Sequence, residues 1–311
     1  MEIEDVLVTG GAGFVGSRFV KELSETGMNV VAVDNCFAGD PTLLGDDIRF
    51  EQVDIQTKAF RDLVSTVNPD AIVHLAAIHY VPYCNENPEE AFNVNVMGTR
   101  SLLSAARTLP NLEAMIFASS AAVYPPREGP NNEASETGPT DIYGRTKLIG
   151  EDLMELFAEQ TNTSTVSTRL FNIYGPNETN EHLVPAVLKQ VRSGKREIEL
   201  GNLTPKRDFI HISDVTSALM TLLKGAEDGY NTYNVGTGTE YSVREVVEQT
   251  SDALGEEIEI RQDEERVRES DRPHLQADIS KMRADFDWEP TVEFVDGLRD
   301  LLRQDDEVLV T

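Results

Sequence analysis

Tyr143 and Lys147, in the stretch YGRTK, stand four residues apart near the start of a helical pattern and so share one helix face. A free phenol, with a pKa of about 10, is a useless base at neutral pH. An ammonium group beneath it and a positively charged ring beside it both favour the phenolate, which could take a proton from a substrate hydroxyl. Tyrosine and lysine at this spacing are also common surface neighbours, so the pair gains meaning from its company. Part of that company is SSAAVYPP, which closes an apolar run with two hydroxyls, Ser119 and Ser120. Ala121 and Ala122 follow, and they have nothing to donate or accept.

A second cluster lies at the other end of the chain. VTGGAGFVGS puts Gly10, Gly13 and Gly16 between a strand-like run and a helical one. Glycines there permit a tight turn, let backbone N–H groups approach a pyrophosphate, and let the helix pack close to the sheet. A merely tight turn would use the same residues. Asp34 ends the next strand-like run, where its carboxylate can accept from both ribose hydroxyls and would repel a 2′-phosphate, which favours NAD over NADP. A solvated strand terminus is its plain alternative.

The elements that must position these groups are visible as strand-length apolar runs at 5–10, 29–34, 48–54, 71–77, 114–120 and 164–171. Helical patterns separate them, among them Gly13–Gly27, Thr57–Val67, Pro88–Leu109 and Asp141–Gln160. Alternation of this kind predicts an α/β fold, a Rossmann-type doubly wound parallel sheet covered on both faces. Past Gly175–Pro176 the regularity breaks into a helix at 182–193, a basic loop containing KRDFIH, a helix at 213–224, a short strand TYNVG, a helix at 243–254, a charged stretch and a final helix. The expected division is a nucleotide-binding domain over 1–172, to which a segment near 209–236 returns, and a smaller α/β substrate domain over 173–311.

Composition narrows the chemistry further. The chain has 311 residues, 40% of them hydrophobic, enough for a sizeable core. Asp and Glu number 55 against 27 Lys and Arg, a formal net charge of −28 that repels nucleic-acid phosphates and anionic lipid. The acids are spread along the chain and alternate with apolar positions, which suits a halophilic protein working where salt screens self-repulsion. No apolar run approaches bilayer length, and the chain reads as cytoplasmic. Cys36 and Cys84 make no disulfide framework, and the five histidines have no ligand-like spacing, so no metal site is expected.

Taken together, TGGAGFVGS, VDN (33–35), Asp54–Ile55, HLAA (74–77), NVMGT (95–99), SSAAVY, Tyr143 with Lys147, RLFNIYGP (169–176), RDFIH (207–211) and RESD (268–271) followed by ADISK resemble the extended short-chain dehydrogenase/reductase family, and within it the nucleotide-sugar epimerases and dehydratases. The resemblance covers nearly the whole chain. It implies bound NAD held by Gly10, Gly13, Phe14, Val15, Gly16, Asp34, Asn35, Asp54, Ile55, Leu75, Ala76, Ala77 and Asn95, with Tyr143 and Lys147 at its reactive end. Asn95 matches a residue that props the active site, although an asparagine in a helix also serves as a local backbone partner.

By the same likeness Ser120 hydrogen-bonds the reacting sugar hydroxyl beside Tyr143, and the two residues after it decide the reaction. In dehydratases that pair is typically acidic; here it is Ala121 and Ala122, so elimination lacks its customary acid and base. The implied activity is epimerisation at C4 of a nucleotide sugar, a UDP-hexose, through a transient 4-keto intermediate, with dehydration or reduction as alternatives. Asn172, Arg207 and Arg268 match positions that hold the substrate diphosphate, and Asp271 one that accepts from its ribose; surface ion pairing is the plain alternative for the arginines. His79 stands where related epimerases carry a lysine, Leu275 where the sugar 2-substituent is gated, and Cys84 reads either as a small packing residue or as a substrate contact. Family members pair through the helices at 88–109 and 141–160, so a homodimer is implied. Leu102, Leu103, Leu153, Leu156 and Phe157 lie on faces that could meet a partner or their own sheet.

Overall fold

A computed structural model describes residues 3–178, 180–225, 227–264, 267 and 272–308. Along the chain run β1 (Asp5–Thr9), α1 (Phe14–Glu25), β2 (Asn29–Asp34), β3 (Arg49–Gln52), α2 (Lys58–Val67), β4 (Ala71–His74), α3 (Val81–Glu86), α4 (Pro88–Phe92), a π-helical turn (Asn93–Gly98), α5 (Thr99–Ala106), β5 (Ala114–Ser120), α6 (Ile142–Gln160) and β6 (Ser164–Leu170). There follow β7 (Asn172–Tyr174), α7 (Leu183–Arg192), β8 (Glu197–Leu200), β9 (Lys206–His211), α8 (Ile212–Gly225), β10 (Tyr230–Val235), β11 (Glu240–Ser242), α9 (Val243–Leu254), β12 (Glu259–Gln262), α10 (Ser280–Phe286) and α11 (Phe294–Val308).

The chain divides into two compact units. The first takes Met1–Pro125, Glu133–Leu170 and Thr216–Asn234, and the second Pro126–Asn132, Phe171–Val215 and Val235–Thr311. The first is built on a seven-stranded sheet in the order β10-β6-β5-β4-β1-β2-β3. Neighbours from β3 through β6 pair in parallel. Val6, Leu7 and Val8 of β1 are all fully buried, as are Ile72 and Val73 of β4, the continuous apolar run that a sheet covered on both faces requires. Phe60, Met154 and Phe157 pack on one such face with Leu7, Ile72 and Met115.

One reading of the helices changes, and one left open is decided. The stretch 88–109 is not one regular helix: α4 passes through the π-helical turn into α5, and a separate short helix, α3, precedes it. Leu102, Leu103 and Phe157 belong to the first unit's own core, and Leu153 packs against it; of the five apolar residues only Leu156 is exposed.

The second unit carries a three-stranded sheet, β11-β9-β7, and a two-stranded one, β12-β8. KRDFIH, read as a basic loop, is the central strand β9. Its Asp208 carboxylate is fully buried and accepts from Thr237 N, Thr237 Oγ1, Gly238 N and Ala277 N at 2.7–3.1 Å. An acid spent on pinning two loops to its strand gives no alternation of apolar and polar residues to read. Tyr174, Phe209 and Phe294 form the aromatic centre of this unit.

Candidate active site

The chain leaves β1 at Thr9 and turns at Gly10, whose φ of +71° lies in the region that favours glycine. A Cβ on Gly10 would fall 2.7 Å from the Ala76 amide nitrogen, and one on Gly16 would fall 2.0 Å from the Gly10 carbonyl oxygen. The turn is therefore pressed against the exit of β4, at the place where strand order reverses about β1. Gly13 caps α1 with no side chain, and no acidic residue occupies its first turn, so nothing competes there for an anion at the first helical amides, Phe14 and Val15. Gly11, missed in the sequence, is equally confined: a Cβ there would lie 2.8 Å from Ala32 Cβ.

Asp34 is fixed beside the turn by two backbone donors, Ala12 N to Oδ2 at 3.2 Å and Cys36 N to Oδ1 at 2.8 Å. Asn35 donates to Asp54 at 3.0 Å, and the other Asp54 oxygen accepts from Gln56 N at 2.8 Å, so these two residues brace each other's loops. Ile55 is buried where Gly98 comes close enough that a Cβ would sit 2.5 Å from Ile55 Cδ1. Leu75 N bonds the Thr9 carbonyl at 3.0 Å and leads Ala76 and Ala77 out of the sheet. A side-chain-free turn, an open helix N-terminus and an oriented acid fit a dinucleotide, with its diphosphate on the turn and a ribose at Asp34.

The second cluster is set by α6. Asp141 caps it, accepting from Gly144 N at 2.7 Å, and two glycines let it approach β5: a Cβ on Gly144 would lie 2.5 Å from the Ala122 carbonyl oxygen, and one on Gly150 2.3 Å from the Phe117 ring. That closeness buries Lys147, whose ammonium donates to the Ala118 carbonyl at 2.6 Å and stands 5.7 Å from the centre of the Tyr143 ring. The Ser120 hydroxyl lies close enough to the Tyr143 phenol to act on its protonation. Ser120 also accepts from Ala122 N at 3.1 Å, which caps the short turn carrying both alanines.

Electrostatics set the protonation of the pair in the protein by itself. Burial drives the Tyr143 phenol above its ordinary pKa, and the Ser120 hydroxyl offsets this only in part. Burial also brings Lys147 down to about 8, with Cys84 and Glu151 opposing. In the protein by itself desolvation outweighs the neighbouring ammonium, and the phenol keeps its proton.

Ser119 and Ser120 point to opposite faces of β5, as successive strand residues must. Ser119 is buried and donates to Glu151 at 2.5 Å. Glu151 in turn takes a forked bond from Arg169, Nε at 3.0 Å and Nη2 at 2.7 Å, and Arg169 reaches the Tyr124 hydroxyl at 2.9 Å. Among the described residues this is the one ion pair with both side chains buried. Sequence reading missed Glu151, although Tyr143, Lys147 and Glu151 repeat at intervals of four. Arg169 left no local signal.

Asn95 sits in the π-helical turn and is no mere local partner. Its side chain accepts from Ile78 N at 2.8 Å and donates to the Ile78 carbonyl and to Thr146 Oγ1, both at 2.9 Å. Thr146 Oγ1 passes its own proton to the Tyr143 carbonyl at 2.8 Å. Cys84 is fully buried beside Ile78 and Ala91, with Tyr143 packed on that cluster, and burial raises its thiol to about 11.

The first unit thus gathers the glycine turn, Asp34, Asn95, Ser120, Tyr143 and Lys147. In the second unit Asn172 and Arg207 lie on the neighbouring strands β7 and β9, and Arg207 Nη1 donates to the carbonyls of Lys206 and Arg272 at 2.8 and 2.7 Å. Arg268 and Asp271 lie outside the described residues. Among those residues no group of three His, Cys, Asp or Glu could hold a metal, and no helix is long and apolar enough to cross a membrane.

Known proteins are similar to this chain in sequence and in fold. A UDP-glucose 4-epimerase of Corynebacterium glutamicum is 32% identical over 302 residues, 92% of this chain and 90% of that protein. The crystal structure of a UDP-glucose 4-epimerase from Stenotrophomonas maltophila, with bound NAD and formylated UDP-arabinopyranose, superimposes with a TM-score of 0.89 at 28% identity over the full length of both chains. That of a Thermotoga maritima UDP-glucose 4-epimerase with UDP-glucose gives 0.90 at 26% identity, covering 98% of this chain and 99% of that one. The family model described as NAD dependent epimerase/dehydratase matches residues 6–236, which span the glycine turn, the serine pair and the tyrosine–lysine helix alike, and the chain belongs to that family.

Proposed function

We propose that the protein is an NAD-dependent isomerase that inverts C4 of a UDP-hexose, interconverting UDP-glucose and UDP-galactose. The observation that carries the reading is a phenol beside Ser120, its ring 5.7 Å from a buried ammonium, with Ala121 and Ala122 in the turn after β5 instead of an acid and a base. Bound NAD supplies a two-electron acceptor and a positive charge, chemistry that no side chain here has. Gly10, Gly13, Phe14, Val15 and Gly16 would hold its diphosphate, Asp34 and Asn35 a ribose, Asp54 and Ile55 the adenine side, and Leu75, Ala76, Ala77 and Asn95 the crevice wall.

Tyr143 holds the proton of the sugar O4 and returns it; a cation brought near the phenol offsets the desolvation that otherwise keeps it neutral. Ser120 orients the sugar hydroxyl, and Lys147, anchored on the Ala118 carbonyl, holds its charge under the tyrosine ring. On the nucleotide side Asn172, Arg207, Arg268 and Asp271 are assigned to the substrate diphosphate and ribose. Two free thiols, Cys36 and Cys84, suit a reducing cytoplasm, and the acidic composition suits a salt-rich one. Exposed Leu156 and Met97 support pairing of identical subunits.

Product analysis tests the reading. Purified protein given UDP-galactose without added cofactor is expected to yield UDP-glucose; a 4-keto-6-deoxy product would overturn the argument from the two alanines. Tyr143→Phe is expected to retain NAD and lose about a thousandfold in kcat, and near-normal turnover in that variant would exclude the assignment.

A further inference from the structure

His74 ends β4 at the lip of the crevice and has no part in the chemistry above. It is nevertheless buried with both ring nitrogens engaged, Nδ1 at 2.7 Å from Thr9 Oγ1 and Nε2 at 2.9 Å from Thr99 Oγ1. The protons on this line can be assigned. Thr99 donates its single hydroxyl hydrogen to the Asn95 carbonyl at 2.6 Å, so towards His74 it can only accept, and Nε2 must carry the ring hydrogen. Nδ1 then accepts from Thr9, whose oxygen also receives the Ala76 amide at 3.4 Å. Burial, helped by the charge of Lys147, lowers the imidazole to about 3, which keeps it neutral.

Beyond Thr99 the line continues through Asn95 to Thr146 and the Tyr143 carbonyl. Thr9, His74, Thr99, Asn95 and Thr146 are all buried, where a severed bond finds no water to replace it. One end of the line is the backbone pressed against Gly10, and the other is the backbone that carries the phenol.

We propose that His74 is a positioning residue: as the Nε2–H tautomer it ties the strand ends around the glycine turn to the π-helical turn that holds Tyr143, so that the cofactor seat and the phenol keep one geometry. The proposal rests on Tyr143 being the proton-transfer group. Its test compares the NAD-loaded protein with Thr9→Val, Thr99→Val, the double variant and Thr99→Ser.

Ring ¹⁵N NMR of wild type is expected to show a protonated Nε2 and an accepting Nδ1 from about pH 5 to 8. Thr99→Val is expected to release NAD severalfold faster and to lower kcat about tenfold with KM held within about twofold, and Thr99→Ser to restore both. The double variant should be no worse than the poorer single one, as for groups acting as a unit. An Nδ1–H tautomer, losses that multiply in the double variant, or unchanged NAD release and kcat in Thr99→Val would each overturn the proposal. If the valine variants do not fold, the tautomer in wild type decides. If no UDP-hexose is turned over, the functional reading fails while the tautomer and NAD-release arms still judge His74.

Discussion

Adjacent residues of β5 divide two duties between two faces. Ser120 meets the phenol, while Ser119 meets the buried Glu151–Arg169 pair. Replacing either hydroxyl should therefore separate stability from turnover. Ser119→Ala removes a donor from a buried carboxylate and is expected to cost about 1–3 kcal/mol in urea unfolding. Ser120→Ala is expected to leave the unfolding midpoint near wild type and lower kcat about a hundredfold. His74 carries a second stability signature. The unfolded chain binds a proton on this imidazole below about 6.5, which the folded protein refuses until about 3, so stability falls with pH through that window and the loss is complete below it. His74→Gln lacks that proton uptake. Its stability should fall less steeply between those values, by up to about 1.4 kcal/mol per pH unit, as read from urea midpoints.

Helix α6 delivers these groups because it lies almost on β5, and Gly150 is the point of closest approach. A methyl group there would meet the Phe117 ring at 2.3 Å, in a close-packed core. Gly150→Ala is expected to destabilise by about 1–3 kcal/mol and to lower kcat as well, since Lys147 sits less than one turn away; guanidinium unfolding and steady-state rates measure both. At this scale the sequence was legible where a pattern is local. The glycine turn, the strands of the parallel sheet and the tyrosine–lysine pair all declare themselves within a few residues. What escaped depends on distant partners or on a subtle change of winding. Glu151 finds Ser119 and Arg169 at separations of 32 and 18 residues. Asn93–Gly98 changes from α to π winding without disturbing the apolar periodicity around it, and β9 hides its strand character behind a buried aspartate.

Across the whole molecule the dominant quantity is charge: a formal −28, with nearly all described ion pairs on exposed side chains that relieve it little. Self-repulsion of this size weakens as the screening length shrinks from about 10 Å at 0.1 M salt to about 3 Å at 1 M. The thermal midpoint is therefore expected to rise between dilute and molar KCl. A flat or falling curve would show that the acids are already neutralised within the fold.

The path of the chain has a consequence for synthesis. The nucleotide-binding sheet takes its seventh strand, β10, from residues 230–235, after an excursion through the second unit over Phe171–Val215 and a return along α8. A nascent polypeptide halted at residue 170 would have β6 as a bare rim, an open template for another chain. Completion of this sheet must wait until the ribosome has passed Val235, and a gene cut between the units should yield an N-terminal half that aggregates unless the missing ribbon is supplied in trans.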